Sequence, residues 1–299
     1  MRSLSNEHIW SFVDEGSLKK VLQKQIPTSQ GVLVENYRDL ATKVAELQFR
    51  NPNYVLFFRG QDKDYRLRRQ QVPMEQQETP PSTIRPSIFR DSNIHDVASW
   101  PGEVGRRYDE LEQAAKELIQ LGRLYEIFDY EAHMRLTRSA VLRWAILQHY
   151  EVCDTSLLDV THSLRIAASV ASLKDPQEAF LMVLAAPQIS GSVSVCAYNE
   201  MQILRLSSLC PSSAMRPHFQ EGYLLGEYPE LRTFGDKKDI PLHETDFANR
   251  LIGKFRFSPE TFWGDPYFPP FPPEALSLSE TDYNDDLLDL TSQITTEKL

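Results

Sequence analysis

Residues 53–69 read NYVLFFRGQDKDYRLRR, and they contain the clearest strand signal of the chain. The apolar run Tyr54–Phe58 is continuous and bounded by turn formers, which predicts a short strand buried on both faces of a sheet. Arg59 and Gly60 end this run, where an unpaired charge is costly to bury. Arg59 therefore has either a carboxylate partner or an anionic ligand, and Gly60 would allow close backbone approach. The RLRR stretch at 66–69 is interpreted as a solvated basic patch or as a ligand clamp.

The composition is that of a globular protein with a core large enough to need neither metal nor disulfide. The chain has 299 residues, of which 41% are hydrophobic. Its net charge of −10 argues against general nucleic-acid affinity, so nucleic acid enters only as a target. The three cysteines favour a reducing compartment. Because no apolar segment is long enough to span a membrane, we expect a cytoplasmic protein without membrane contact.

The order of helical and strand patterns predicts an α+β fold. Apolar residues at helical spacing predict helices over 104–129 and 135–150, on either side of residue 130. A strand over 157–160 leads into a capping segment and a further helix, and short strand-like runs follow from Phe180 onward. We therefore expect a single domain in which a helical block is inserted between a first strand and a β-rich second half.

Motifs of common catalytic sites are absent from the sequence. It contains no Gly-rich phosphate loop, no nucleophile elbow and no His or Cys spacing typical of a metal site. Polar residues at the ends of strands remain as candidates. Thr161 and Ser163 precede a predicted helix, where they form an anion site, a capping segment or both. His149 closes a helix, where a cation is favoured by the helix dipole. Gln220 and Glu221 stand before an apolar strand-like run.

Four stretches resemble the successive motifs of the FRG domain family. They are FFRGQ at 57–61, TIRPSIFR at 83–90, LQHYEVCDTSLLDVTHSLRIAASVAS at 147–172 and RPHFQEGYLLG at 216–226. The resemblance implies an N-terminal extension over 1–30, an FRG domain over 31–260 and a Pro-rich, acidic C-terminal tail over 261–299. One departure is visible at 151–156, where many family members carry an arginine that this chain lacks.

The motif order of this family is similar to that of ADP-ribosyltransferases of the Arg-Ser-Glu type. This similarity implies an NAD-dependent ADP-ribosyltransferase or NAD hydrolase of a bacterial or phage toxin or defence system, with NAD as its substrate. Arg59, Thr161 and Glu221 would be the catalytic residues. The implied cofactor-binding residues are Arg59, Gly60, Gln61, Arg90, His149, Asp159, Thr161, Ser163 and Gln220.

Two further functions stay open at this point. The missing arginine favours a non-catalytic FRG module that senses a nucleotide or binds a partner, such as an antitoxin or a defence-system protein. The arginines at 66–69 would instead serve an effector directed at nucleic acid. Release of nicotinamide from NAD distinguishes the enzyme, which turns NAD over, from the sensing module, which does not.

Overall fold

The computed structural model of the chain describes residues 1–13, 17–68, 78–90, 100–210, 216–229, 245–276 and 286–294. The strands are β1 (His8–Ser11), β2 (Lys19–Leu22), β3 (Val32–Leu33), β4 (Val55–Gln61), β5 (Leu158–Thr161), β6 (Ala179–Ala186), β7 (Val193–Cys196), β8 (Met201–Arg205), β9 (Gly222–Glu227) and β10 (Leu251–Phe257). The helices are α1 (Gln25–Thr28), α2 (Tyr37–Arg50), α3 (Trp100–Leu124), α4 (Tyr130–Arg138), α5 (Ala140–His149), α6 (Leu164–Ser172), α7 (Leu206–Leu209), α8 (Arg216–Phe219), α9 (Pro259–Phe262) and α10 (Asp286–Ser292). The fold is therefore mixed α+β.

The chain forms two compact units where we expected a single domain, and each unit is built from three stretches of sequence. Unit 1 comprises residues 1–84, 160–190 and 242–276, and unit 2 comprises 85–159, 191–241 and 277–299. Residues 1–30 contain β1, β2 and α1 and belong to unit 1, as does the Pro-rich part of the expected tail. Residues 277–285 and 295–299 of the expected acidic tail lie outside the described residues.

Unit 1 is built on a mixed sheet with strand order β3, β10, β6, β4. β3 runs parallel to β10, while β6 is antiparallel to both of its neighbours. β5 joins the free side of β4 through the pair Phe58 and Thr161. β6 has the sequence AFLMVLAA and is buried along its whole length, as expected for a central strand covered on both faces.

The two faces of this sheet carry different chemistry. Side chains alternate along a strand, and cross-strand partners point to the same face. Gly60 of β4 lies directly under α6, so Phe58 and its partner Thr161 share the face covered by that helix. Arg59 and Gln61 point to the opposite face. We call these the α6 face and the Arg59 face.

Unit 2 combines the helices α3, α4, α5, α7, α8 and α10 with an antiparallel sheet of order β9, β8, β7. Asp129 is the N-cap residue of α4, and its carboxylate accepts a hydrogen bond from the backbone N–H of Ala132 at 2.7 Å. This N-cap satisfies one of the backbone donors that a helix start leaves open. Trp144 of α5 is almost completely buried and forms the largest side chain of this core.

Several predicted elements are confirmed and two are corrected. The strand at 54–58 is confirmed as β4, and the strand runs after Phe180 correspond to β6–β9. The long helix ends at Leu124 rather than at 129, because Glu126 adopts a left-handed φ of +55°. The single helix expected over 135–150 was wrong, since extended backbone at Ser139 separates α4 from α5.

Candidate functional site

The residues predicted to form one site are distributed over both units. Unit 1 contains Arg59, Gly60, Gln61, Thr161 and Ser163. Unit 2 contains Arg90, His149, Asp159, Gln220 and Glu221.

Gly60 is required by the packing of α6. A Cβ atom at this position would lie 1.9 Å from the carbonyl oxygen of Ala167 and 2.8 Å from the backbone nitrogen of Ala171. Both atoms belong to the backbone of the helix, which a side-chain rotation cannot move. The backbone that approaches Gly60 closely is therefore that of α6, on the face opposite to Arg59.

The Arg59 face presents donor and acceptor groups on one strand. Arg59 is half-buried, and Gln61, two residues further along, is only 9% exposed. The side-chain oxygen Oε1 of Gln61 is buried and accepts no hydrogen bond from any described residue. Buried acceptors are nearly always satisfied in folded proteins, so this oxygen marks a place where a donor from outside would be stabilised.

A ring stack lies on the same face of the sheet. The rings of Phe57 and His162 are stacked, with centroids 4.3 Å apart and planes inclined by 30°. Phe57 is two residues before Arg59, so both side chains point the same way. His162 is half-buried as a residue, and its ring nitrogen Nε2 is buried. The face thus combines a guanidinium, a buried amide and an aromatic platform.

Thr161 and Ser163 form a turn that leads into α6. The backbone N–H of Ser163 donates to Thr161 Oγ1 at 2.9 Å, and Thr161 is buried. Ser163 occupies the N-cap position of α6, but its side chain makes no capping hydrogen bond. The Thr161 hydroxyl therefore holds the turn before α6 by accepting the N–H of the N-cap residue, and Ser163 does not provide the side-chain cap that was expected for this segment. The Thr161 hydroxyl points to the α6 face, whereas Arg59 points to the other.

In unit 2, three of the predicted residues contact residues that are at most eleven positions away in the sequence. Arg90 Nε donates to the carbonyl oxygen of Arg85 at 3.0 Å, just after a short 3-10 turn. Asp159 Oδ2 accepts from Gln148 Nε2 at 2.5 Å. His149 is buried at the end of α5, and its ring meets that of Tyr150 edge to face with centroids 4.9 Å apart.

Glu221 occupies a strained turn between α8 and β9. Its φ is +45°, a left-handed conformation that residues with a Cβ adopt at a cost. The side chain is exposed, and the backbone N–H donates to the carbonyl oxygen of His218 at 3.4 Å. Gln220 is half-buried in the same turn. Glu126, Glu151, Asp175 and Glu200 have the same left-handed backbone, so this conformation does not by itself distinguish Glu221.

A buried ionic network in unit 1 was not predicted from the sequence. Lys254 is fully buried, and its Nζ donates to Asp64 Oδ2 at 2.6 Å, to Ser82 Oγ at 2.8 Å and to the carbonyl oxygen of Ser29 at 2.7 Å. Arg66 Nε also contacts Asp64 Oδ2 at 2.7 Å. Burial lowers the pKa of Lys254 to about 8, and the charge of Asp64 opposes this shift. No local signal shows this network, because Asp64 and Lys254 are 190 residues apart.

This network changes the interpretation of the RLRR stretch. Arg66 donates further hydrogen bonds to the carbonyl oxygens of Pro80 and Ser29, both at 2.7 Å, so it connects segments of unit 1 rather than forming a solvated patch. Arg69 lies outside the described residues. An open cleft of about 350 Å³ adjoins the network, and its walls include Arg66, Asp64, Phe180 and Arg256. Arg256 is itself paired in the cleft wall, with Glu178.

No family model, no curated protein and no solved structure matches this chain. The resemblance to the FRG domain family therefore rests on the four quoted motifs. Among the described residues, no helix is both long and apolar enough to cross a membrane. In the same part of the chain, no group of three His, Cys, Asp or Glu side chains could hold a metal ion.

Proposed function

We propose that this protein is an NAD-dependent ADP-ribosyltransferase or NAD hydrolase with an ADP-ribosyltransferase-like fold, acting in a toxin or defence system. The observation that carries the proposal is the position of Arg59 and Gln61 on one face of the sheet, where the side-chain oxygen Oε1 of Gln61 is buried without a hydrogen bond. NAD carries a diphosphate that a guanidinium can bind in a bidentate manner. Its nicotinamide carries an amide NH₂ that can donate to a buried oxygen.

The stacked rings of Phe57 and His162 provide a further place where part of NAD would bind. A half-buried His162 on Phe57 offers a surface on which a nicotinamide or adenine ring packs. Residues two apart on a strand are separated by about 6.6 Å, so Phe57, Arg59 and Gln61 span roughly the length of a nucleotide. Phe57 is fully buried beneath His162, so a ligand on this face would contact His162, Arg59 and Gln61.

The proposed reaction breaks the bond between ribose C1′ and the nicotinamide nitrogen. Nicotinamide leaves as a neutral molecule with the bonding electron pair. An acceptor oxygen or nitrogen, or water in the hydrolase, then forms the new bond to C1′ and releases a proton to solvent. In this scheme Arg59 stabilises the diphosphate of NAD through charge-assisted hydrogen bonds.

The test measures nicotinamide release and NAD binding by the purified protein. Arg59→Ala is expected to weaken NAD binding about 10- to 100-fold, the effect of losing charge-assisted hydrogen bonds. Gln61→Met keeps the volume and removes the acceptor, so it should weaken NAD binding without lowering stability. Arg135→Ala is the matched control, because Arg135 is 72% exposed on the surface of α4. Equal NAD binding by all four proteins would refute the proposal.

A second candidate is a module that binds NAD or a related nucleotide without turnover. Two observations favour it: the missing arginine at 151–156, and the exposed position of Glu221. This module would bind NAD through Arg59 and release no nicotinamide. Nicotinamide release by the wild-type protein decides between the two functions, since only the enzyme turns NAD over.

A further inference from the structure

The proline segment, residues 266–273 with the sequence PYFPPFPP, is held on the surface of unit 1. Arg165 Nε donates to the carbonyl oxygen of Pro269 at 2.7 Å, and the Arg165 guanidinium lies 4.4 Å from the centroid of the Phe271 ring. The backbone N–H of Phe271 donates to Ser169 Oγ at 2.9 Å. These contacts fix the segment along α6.

The segment is also held at its N-terminal end. Phe268 stacks on Tyr37 with ring centroids 5.1 Å apart. Asp265 pairs with Arg38 Nε at 2.7 Å, and it accepts the backbone N–H of Tyr267 at 2.9 Å. Phe268 and Phe271 are three residues apart and both point inward.

A spacing of three residues is the repeat of the polyproline II helix. Pro272 has φ −62° and ψ 140°, close to the values of that helix. The segment begins in a turn, in which the backbone N–H of Phe268 donates to the carbonyl oxygen of Asp265 at 3.1 Å, and a 3-10 helix begins at Pro273, so the extended part is 269–272. With the two phenylalanines on the inward edge, the other two edges point to solvent. They carry the exposed residues Tyr267, Pro269, Pro270, Pro272 and Pro273.

The extended part carries one recognition pattern on its outward edges. Pro269 and Pro272 form a Pro-x-x-Pro pair, whereas Pro273, the partner of Pro270 in a second such spacing, begins a 3-10 helix. Such pairs dock into aromatic-lined grooves of proline-recognition domains, which bind the polyproline II helix because its conformation is already restricted. A segment anchored to a folded surface loses even less entropy on binding.

We propose that the proline segment is a docking site for a protein with an aromatic-lined, Pro-x-x-Pro-binding groove that has a basic rim. The basic rim follows from the flanking sequence, because residues 274–286 contain five acidic residues and no lysine or arginine. The site is separate from the proposed NAD site and does not depend on it. Binding at the proline segment would hold this protein next to its partner.

The experiment titrates the intact protein with a panel of purified SH3 domains whose groove rims range from basic to acidic. Domains with basic rims are expected to bind, and the double variant Pro269→Ala/Pro272→Ala should bind at least tenfold more weakly. Pro52→Ala is the matched control, because Pro52 is an exposed proline outside the segment. Thermal unfolding of each variant checks that the fold is retained.

A synthetic peptide of residues 264–275 supplies a second measurement. If the anchored conformation is the one recognised, the peptide binds more weakly than the intact protein. Absence of binding by every domain would overturn the proposal. It would also be overturned by unchanged affinity of the double variant, or by a peptide that binds while the intact protein does not.

Discussion

Replacing Gly60 by alanine tests whether this residue is required for packing or for a ligand. The new Cβ would lie 1.9 Å from the carbonyl oxygen of Ala167. A carbon and an oxygen in contact are separated by about 3.3 Å, so α6 must move away by roughly 1.4 Å. That movement separates the buried residues Ile166, Ala168 and Ala171 from the sheet.

The expected loss of stability is about 3 kcal/mol. Overpacking a core typically costs about 1–3 kcal/mol, and the upper end applies here because the clash involves helix backbone. For a unit of this size, each kcal/mol lowers the melting temperature by about 2–4 °C. We therefore expect Gly60→Ala to melt about 6–12 °C below the wild type.

Urea and thermal unfolding, followed by circular dichroism, measure this difference. Gly102→Ala is the matched control, because a Cβ at Gly102 of α3 meets no atom within 4 Å. An alanine there is expected to stabilise the helix by up to about 1 kcal/mol. The double variant Gly60→Ala/Ala167→Gly should not recover stability, since the clashing oxygen belongs to the backbone. A Gly60→Ala protein with the wild-type midpoint would refute the packing role.

Substitutions of Lys254, Asn36 and Thr161 test the contribution of three contacts in unit 1 to its stability. The pKa of Lys254 is lowered from 10.5 to about 8, so the unfolded chain binds more protons between these values and stability rises with pH. The unfolding free energy of the wild type relative to Lys254→Met should increase by about 3 kcal/mol from pH 8 to pH 10.5, and a constant difference in urea titrations would contradict this. Asn36→Ala removes the side-chain acceptor of the Asp39 N–H at the start of α2, and calorimetry should show a loss of about 1 kcal/mol. Thr161→Val removes the acceptor of the Ser163 N–H at nearly constant volume, so we expect a loss of about 1 kcal/mol with NAD affinity retained; a selective loss of affinity would instead assign the hydroxyl to the ligand.

The apolar runs of the sequence predicted the strands β4 to β9, whereas β1, β2, β3 and β10 were not predicted. β4 and β6 read as continuous apolar runs, which are typical of strands covered on both faces. β10 was not predicted, because Lys254 and Arg256 interrupt its apolar pattern. Lys254 is tolerated in the core because Asp64 and Ser82 accept its hydrogen bonds, and both are distant in sequence. A local pattern cannot show such a partner.

The candidate site was predicted in part for the same reason. The predicted strand ended at Phe58, whereas β4 continues to Gln61, so only the structure shows that Arg59 and Gln61 share a face. The buried, unsatisfied oxygen of Gln61 depends on the whole fold and could not be inferred from the sequence. The division of the predicted residues between two units was equally inaccessible, because each unit is assembled from separate stretches.

The adjacent residues Arg59 and Gly60 have separable functions because they point to opposite faces of one strand. Gly60→Ala acts on α6 and should lower stability, and NAD affinity measured at a temperature where the variant is folded should change little. Arg59→Ala acts on the other face and should lower NAD affinity with little change in the melting temperature. If instead both substitutions lower the same property, the two residues serve one structure, and the assignment of Arg59 to a ligand fails.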